Sequence, residues 1–307
     1  MIKTIEHNKI KWFYIHKPDA QDIKFLRENF SFHELDMEDL VSHQQRPKID
    51  PYDDYTFLVF HFPVMKGERI EIMEVDFFIG KDYVISSTQI SFQLLEDLFI
   101  KMQNDESLKS NFFVKDSKML FYKVLDNFVE AMLPLIDRFG AEIDNIDRQI
   151  FNIHSKHIQS KFIFLEKITI LRRNLLVSQT ILKPEINIMT EMETGKIFFF
   201  GNNMAVYWSD ILDHLKKFAD QLENYRFLIE GLSVAEETLV SYKINEVIKV
   251  FTVVTVFLMP PTLLASIYGM NIYLPIQKHP FAFWIMLVFM AAMEVVMFVY
   301  FRIRKWF

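Results

Sequence analysis

Polar side chains interrupt an apolar run near the C-terminus at a helical spacing. From Val250 to Tyr268 the chain has no charged residue, yet hydroxyls recur within this run. On a helix, positions that follow at alternating steps of three and four lie on one face, which we call the polar stripe. Because hydrocarbon offers no partner to a hydroxyl, such a face of a membrane helix must meet protein or water, and the pattern predicts that it lines a pore. The polar stripe consists of Asn245, Ile248, Thr252, Thr255, Met259, Thr262 and Ser266.

The same spacing also allows a simpler interpretation. Serine and threonine hydroxyls can bond back to carbonyls of their own helix without any role in transport. Met259 taken alone would be an ordinary packing residue, and only its position within the stripe argues otherwise.

A second apolar run, residues 281–301, is long enough to span a bilayer. Trp284 and Tyr300 lie near its two ends, where aromatic residues anchor membrane helices. The cations Arg302, Arg304 and Lys305 follow directly. By the positive-inside rule we expect both termini to be cytoplasmic and the loop of residues 272–280 to lie outside.

Long helical patterns precede the membrane runs. Residues 116–184 predict two helices that join near residues 153–159, with Lys183-Pro184 ending the second. A third helix is expected from about Met204, and Pro260-Pro261-Thr262 predicts a break in it. A heptad-like seam on this helix should pack against the two preceding helices or against copies of itself, and its continuation at residues 246, 250, 253 and 257 runs beside the polar stripe. The seam is Leu215, Phe218, Leu222, Tyr225, Ile229 and Leu232.

The first part of the chain alternates strand-like and helix-like segments. Aromatic and β-branched residues predict strands at residues 9–16, 55–62, 70–79 and 83–87. Helical spacing predicts helices at residues 19–29, 32–42 and 91–104, the last with Ser91 as N-cap. Two prolines predict a loop at residues 46–51. Glycines predict turns at residues 66–68 and 80–82.

These patterns predict an α+β membrane protein with an N-terminal cytoplasmic α/β sandwich domain, a long helical stalk and two C-terminal transmembrane helices. Both transmembrane helices lie at the C-terminal end, so the lipid bilayer is an expected partner. The division we expect is as follows: 1–115, cytoplasmic α/β domain; 116–245, stalk; 246–271, first transmembrane helix; 272–280, external loop; 281–301, second transmembrane helix; and 302–307, basic cytoplasmic tail.

Composition excludes several function classes. The formal net charge is −6, which predicts no nucleic-acid partner. The chain has no cysteine, so disulfides and thiolate metal sites are excluded. The sequence contains no P-loop, dinucleotide-binding glycine turn, HExxH or serine-elbow motif, and we expect no enzyme activity. The N-terminus has charges every few residues in place of a signal peptide, so we expect it to stay in the cytoplasm.

Three segments resemble the CorA family of divalent-cation channels. Tyr268-Gly269-Met270-Asn271 closes the first membrane run and is similar to the family's Gly-Met-Asn signature. Residues 43–49, His-Gln-Gln-Arg-Pro-Lys-Ile, resemble the family's His-Gln-Arg-Pro-Lys segment with one glutamine inserted, and residues 300–306 resemble its basic-aromatic ending. The resemblance covers essentially the whole chain.

The resemblance implies a homopentamer in the plasma membrane that conducts Mg2+, and sometimes Co2+ or Ni2+, into the cell. It implies that Gly269, Met270 and Asn271 form the selectivity segment and that Asn271 receives the hydrated cation. Counting back from Asn271, the family's pore positions correspond to Thr262, Met259, Ile248 and Asn245, which all belong to the polar stripe. No cofactor is implied other than the divalent cation itself.

Three departures from the family pattern keep alternatives open. The outer loop has no carboxylate between Asn271 and Pro280, which allows a ZntB-like Zn2+ transporter in which His279 meets a softer ion. Val234 stands where the family has a stalk carboxylate, so the regulatory cation site is unassigned. Glu294 places a carboxyl inside the second membrane run. A membrane-tethered sensor or scaffold without transport is a further alternative. The carboxylates nearest to Val234 are Glu230, Glu236 and Glu237.

Overall fold

The computed structural model describes residues 2–42, 45–152, 158–276 and 278–304. Within these ranges, side chains are described for every residue except 150–152, 158–164 and 202. The chain divides into two compact units, Met1–Ser233 and Val234–Phe307. Several predicted features fall partly outside the described residues. These are His43 and Gln44 of the segment that resembles the family, residues 153–157 of the joint predicted at 153–159, Gln277 of the loop between the apolar runs, and the tail from Lys305.

A six-stranded sheet organises the first unit within the described residues. Its strand order is β1-β2-β6-β5-β4-β3, and neighbouring strands are antiparallel except for the parallel pair β2 and β6. The turn between β4 and β5 contains Gly67 at a φ of +65°, a left-handed conformation that glycine adopts without strain. The strands are β1 (Ile2–His7), β2 (Ile10–His16), β3 (Lys48–Pro51), β4 (Tyr55–Lys66), β5 (Arg69–Gly80) and β6 (Tyr83–Thr88).

Helices cover both faces of this sheet. Asp19 caps the first of them by accepting from the amides of Gln21 and Asp22. Among the described residues the helices are α1 (Ala20–Asn29), α2 (Glu34–Val41), α3 (Gln93–Asn104), α4 (Glu106–Phe112), α5 (Ser117–Glu130), α6 (Leu133–Asn152), α7 (Ile158–Glu193), α8 (Ala205–Tyr268) and α9 (Ala282–Ile303).

Each face of the sheet has its own hydrophobic core because successive strand residues point to opposite sides. Phe57 and Phe78 belong to the smaller core, which includes residues of α1 and α2. Phe60 and Phe77 belong to the larger core, which includes residues of α3 to α8. The predicted α/β sandwich domain is therefore confirmed.

The structure corrects two predictions about the sheet. All four predicted strands are present, but β1 was not predicted, and the predicted loop at residues 46–51 is wrong in part because β3 lies there. Lys48 pairs with Val59 and Pro51 with Thr56 in an antiparallel register. Proline disfavours a helix because it lacks a backbone donor. An edge strand tolerates it where its nitrogen is not required as a donor.

The structure also corrects the predicted helix boundaries. Residues 117–193 form three helices where two were predicted, and Pro184 lies inside α7. The helix continues past this proline because Leu182 and Met189, on either side of it, are buried in the larger core. Ser91 does not cap α3, whose N-cap is Phe92; the Ser91 hydroxyl donates to Glu96 instead. The short helix α4 was not predicted.

The predicted seam on α8 packs against a preceding helix. Leu215, Phe218, Leu222 and Ile229 are buried in the larger core, and Tyr225 packs against it. A Cβ atom on Gly140 of α6 would lie 2.7 Å from the Tyr225 hydroxyl, so a larger residue there would displace the Tyr225 side chain. The larger core therefore confirms the first of the two predicted packing modes.

Among the described residues, the two helices α8 and α9 are long and apolar enough to cross a membrane. Pro260 and Pro261 lie inside α8, so the predicted break is wrong. Each proline removes one backbone donor, a loss that membrane helices tolerate. On α8, Val253 is 5% exposed and the ring of Phe257 lies 5.7 Å from that of Phe301 on α9.

Candidate functional site

The polar stripe forms one exposed face of α8. All seven of its residues are exposed, with Ile248 at 55% and Met259 at 69%. The buried Val253 belongs to the predicted continuation of the seam and lies off the stripe, whereas Glu246 and Val250 on that continuation are exposed. The stripe is therefore exposed along its whole length, and Val253 is the one buried residue among described residues 245–271.

The stripe threonines donate their hydroxyl protons to their own helix. Thr252, Thr255 and Thr262 bond to the carbonyls four residues earlier, at 2.8, 2.9 and 2.6 Å. This is the geometry that the simpler interpretation expects. It also leaves each hydroxyl oxygen with free acceptor capacity on an exposed face, because a hydroxyl has one proton and two lone pairs.

The predicted selectivity segment begins where α8 ends. The Gly269 amide donates to the Ala265 carbonyl at 2.9 Å, and the Met270 amide donates to Ile267 at 3.2 Å. A Cβ atom on Gly269 would lie 3.3 Å from the Ala265 oxygen, so the smallest residue suits this turn. Asn271 follows this turn as an exposed residue.

Hydrogen bonds also organise the loop between α8 and α9. The Tyr268 hydroxyl donates to the carbonyl of Pro275 at 3.1 Å, closing a loop around the selectivity segment. His279 accepts the amide proton of Phe281 at its Nδ1 atom at 3.3 Å, next to the start of α9. This nitrogen is therefore engaged in loop structure.

Glu294 and Glu230, two of the acidic positions singled out in the sequence, have different surroundings in the structure. Glu294 is half-buried on α9, and its Oε1 atom is buried without a hydrogen-bond partner among the described residues. Glu230 pairs with Arg226 of the same helix at 3.6 Å. Neither geometry assigns a regulatory cation site.

A different cluster brings potential metal ligands together. The carboxylates of Asp126 on α5 and Asp210 on α8, with the imidazole of His214, have ligand atoms within 4.8 Å of one another. Burial raises the pKa of Asp126, Glu130 and Asp210 raise it further, and His214 opposes the shift. Sequence reasoning missed this cluster. The four-residue spacing of Asp210 and His214 was visible, but the approach of Asp126 depends on helix packing.

Comparison with known proteins places these features in a family. The family model of the CorA-like Mg2+ transporter protein matches residues 7–304. The cobalt/magnesium transport protein CorA of Thermotoga maritima is 26% identical over 295 residues, which cover 95% of this chain and 81% of that protein.

Solved structures share the fold. The CorA magnesium transporter of Methanocaldococcus jannaschii matches with a TM-score of 0.86 at 16% identity, over 99% of this chain and 93% of that chain. The full-length CmaX protein matches with a TM-score of 0.76 at 18% identity, over 97% and 89% of the two chains. The family match includes strands β2 to β6, the polar stripe and both apolar helices, and the chain therefore belongs to the family of CorA-like Mg2+ transporter proteins.

Proposed function

We propose that this divalent-cation transporter is a channel that admits Mg2+, and also Co2+ and Ni2+, through an axial pore lined by the polar stripe. The observation that carries the proposal is the stripe itself, an exposed line of hydroxyls and one amide that runs along α8 toward Asn271. The name of the Thermotoga maritima relative, a cobalt/magnesium transport protein, supports the choice of Mg2+ and Co2+.

The pore requires several copies of the chain. Two membrane helices cannot enclose a water-filled path, and the stripe must be shielded from hydrocarbon. A closed ring with α8 at its axis satisfies both conditions, and the family resemblance favours a homopentamer. We place this ring in the plasma membrane with both termini in the cytoplasm, because Arg302 lies in the last turn of α9 and Arg304 follows it directly.

The proposed chemistry follows from the reluctance of Mg2+ to lose water. The waters of a hydrated cation point their protons outward, so the pore must offer acceptors. The stripe threonines do so because their own protons are already donated to the helix. A ring of Asn271 side-chain oxygens and the Gly269 carbonyls would receive the ion outside, while Ile248 and Met259 would narrow the path and gate it by dewetting.

The division of the chain follows this model. We assign residues 1–115 to a cytoplasmic domain, 116–245 to a stalk, 246–271 to the pore helix and 281–301 to the outer helix. Residues 272–280 form the external loop, and residues 302–307 form the basic tail.

The test is uptake of Mg2+ into proteoliposomes by Asn271→Ala. We expect uptake to be abolished while the oligomer, measured by light scattering, is unchanged. Tyr273→Ala is the matched control, because Tyr273 is 93% exposed two residues away and outside the selectivity segment. Wild-type uptake by Asn271→Ala would refute the pore assignment.

Zinc transport is the second candidate, favoured by the outer loop without a carboxylate and by His279. A flux comparison of Mg2+, Co2+, Ni2+ and Zn2+ separates the two, since a ZntB-like protein would move Zn2+ in preference. Absence of flux for every ion would favour a sensor or scaffold. Such a protein should also tolerate Thr255→Leu and Thr262→Leu without loss of folding or assembly.

A further inference from the structure

Beyond the end of β3, the edge of β4 leaves the His61 amide without a strand partner. Because Pro51 cannot donate, its pair with Thr56 lacks ladder bonds, and the alternation of an antiparallel ladder then points the amides of residues 57, 59, 61, 63 and 65 toward the β3 side. β3 pairs with β4 only as far as Val59. Residue 63 is proline and has no amide proton. The His61 amide is therefore the first donor beyond β3, and Met65 carries the next one.

Glu185 of α7 satisfies this donor in place of a strand. Its Oε1 atom accepts the His61 amide proton at 2.8 Å. The side chain is fully buried, and its Oε2 atom has no hydrogen-bond partner in the described part of the chain. A buried carboxylate with a single hydrogen bond is a costly arrangement.

No neighbouring charge compensates Glu185 among the described residues. The Nζ atom of Lys48 on β3 already forms ion pairs with carboxylate oxygens of Asp39 and Asp50, at 2.7 and 2.6 Å. The imidazole of His61 lies 3.5 Å from Glu74 on β5. Burial raises the pKa of Glu185 well above its usual range, and the His61 hydrogen bond opposes the shift.

Further titratable groups on the elements packed against α7 also fail to supply a counter-charge. Asp76 on β5 is itself a buried acid. The charged residues of α6 are exposed or half-exposed: Asp137, Arg138, Glu142, Asp144, Asp147 and Arg148.

The attachment point coincides with a weak point of the helix. Pro184 immediately precedes Glu185 and lies inside α7, where it removes one bond from the helix ladder. Bending is easiest at such a position.

A second clasp on α7 has no titratable group. Asn174 accepts the Ile70 amide proton at 2.9 Å and donates to the Glu68 carbonyl at 2.7 Å. Helix α7 is thus held to the β4–β5 hairpin at one neutral point and one acidic point.

We propose that Glu185 is a proton-operated joint, which holds α7 against the edge of β4 while its proton is bound and releases the helix there when the proton is lost. The neutral Oε1 atom still accepts from His61, whereas an ionised carboxyl draws water into the interface. Release is confined to the Glu185 clasp because the Asn174 clasp does not titrate. The joint is independent of the proposed ion pathway.

The test is residue-resolved hydrogen exchange on the full-length protein in detergent micelles across a pH series. Between the ordinary glutamate pKa of about 4.3 and the raised value, each opening releases one proton. The protection factor of the His61 amide should therefore fall about tenfold per pH unit. The protection factor of the Ile70 amide should not follow it.

Glu185→Gln is the matched variant, since its amide oxygen still accepts from His61 and cannot ionise. Its His61 protection should be independent of pH. A His61 profile that matches Ile70 in the wild type, or a pH dependence that persists in Glu185→Gln, would overturn the proposal. The wild-type comparison of the two amides needs no variant, so it decides the matter even if Glu185→Gln fails to fold.

Discussion

Replacing Asn174 by alanine removes the neutral clasp between α7 and the β4–β5 hairpin. Asn174 is 1% exposed and bridges the buried Ile70 amide and the Glu68 carbonyl. Alanine can neither accept the proton of the Ile70 amide nor donate to the Glu68 carbonyl. The two orphaned groups differ, because Ile70 is buried whereas Glu68 lies at the exposed hairpin turn.

The expected cost follows from that difference. A buried donor left without a partner costs about 1–3 kcal/mol, whereas the exposed carbonyl can bond water instead and adds little. We therefore expect a loss of about 2 kcal/mol. At about 1.4 kcal/mol per factor of ten, this corresponds to a roughly 30-fold fall in the protection factor of the Ile70 amide.

Hydrogen exchange at Ile70 and the thermal midpoint of the full-length protein measure this loss. Asn29→Ala is the matched control, because Asn29 makes one exposed hydrogen bond to the Phe25 carbonyl at 2.9 Å. Its effect should stay within about 0.5 kcal/mol. If Asn174→Ala proved as mild as Asn29→Ala, the reasoning that a buried unpaired amide destabilises the hairpin would be refuted.

Two further predictions concern Thr262 of the stripe and the buried Asp76 of the sheet. Thr262→Val should slow Mg2+ uptake about fivefold, because a ring loses acceptors worth about 1 kcal/mol. Thr180→Val, which removes the same type of hydroxyl-to-carbonyl bond on α7, should transport normally. Burial raises the pKa of Asp76 well above its usual range. The protonated carboxyl therefore makes its full contribution to the free energy of unfolding below about pH 3.9. This contribution declines by up to about 1.4 kcal/mol per pH unit as the pH rises toward the pKa of the folded state. Asp76→Asn should therefore narrow the gap between thermal midpoints at pH 5 and pH 8, and an unchanged gap would contradict this.

Local pattern predicted much of the fold. The strand at residues 55–62 was visible because aromatic and β-branched residues follow one another there, and the seam on α8 was visible because its spacing matches a helix. The strand β3 was missed because its pairing with β4 decides its conformation, while its prolines locally suggest a loop. Pro184 misled in the same way, since burial of the surrounding helix outweighs one missing hydrogen bond.

The candidate site also contains features that local spacing predicts and contacts that only helix packing creates. The polar stripe and the Gly269–Asn271 segment lie on consecutive turns of one helix and its end, so their order and common face follow from the sequence alone. Asp126 meets Asp210 and His214 only because α5 and α8 pack together. Glu185 meets the His61 amide across 124 positions of the chain.

The sequence by itself therefore determined the periodic features of this transporter, namely two apolar helices, a polar face and an alternating α/β region. Periodicity acts over a few residues, where backbone geometry alone relates one side chain to the next. Only the tertiary structure decided which buried groups satisfy one another. A desolvated donor such as the His61 amide must find an acceptor wherever the packed chain provides one, and no local spacing specifies that partner.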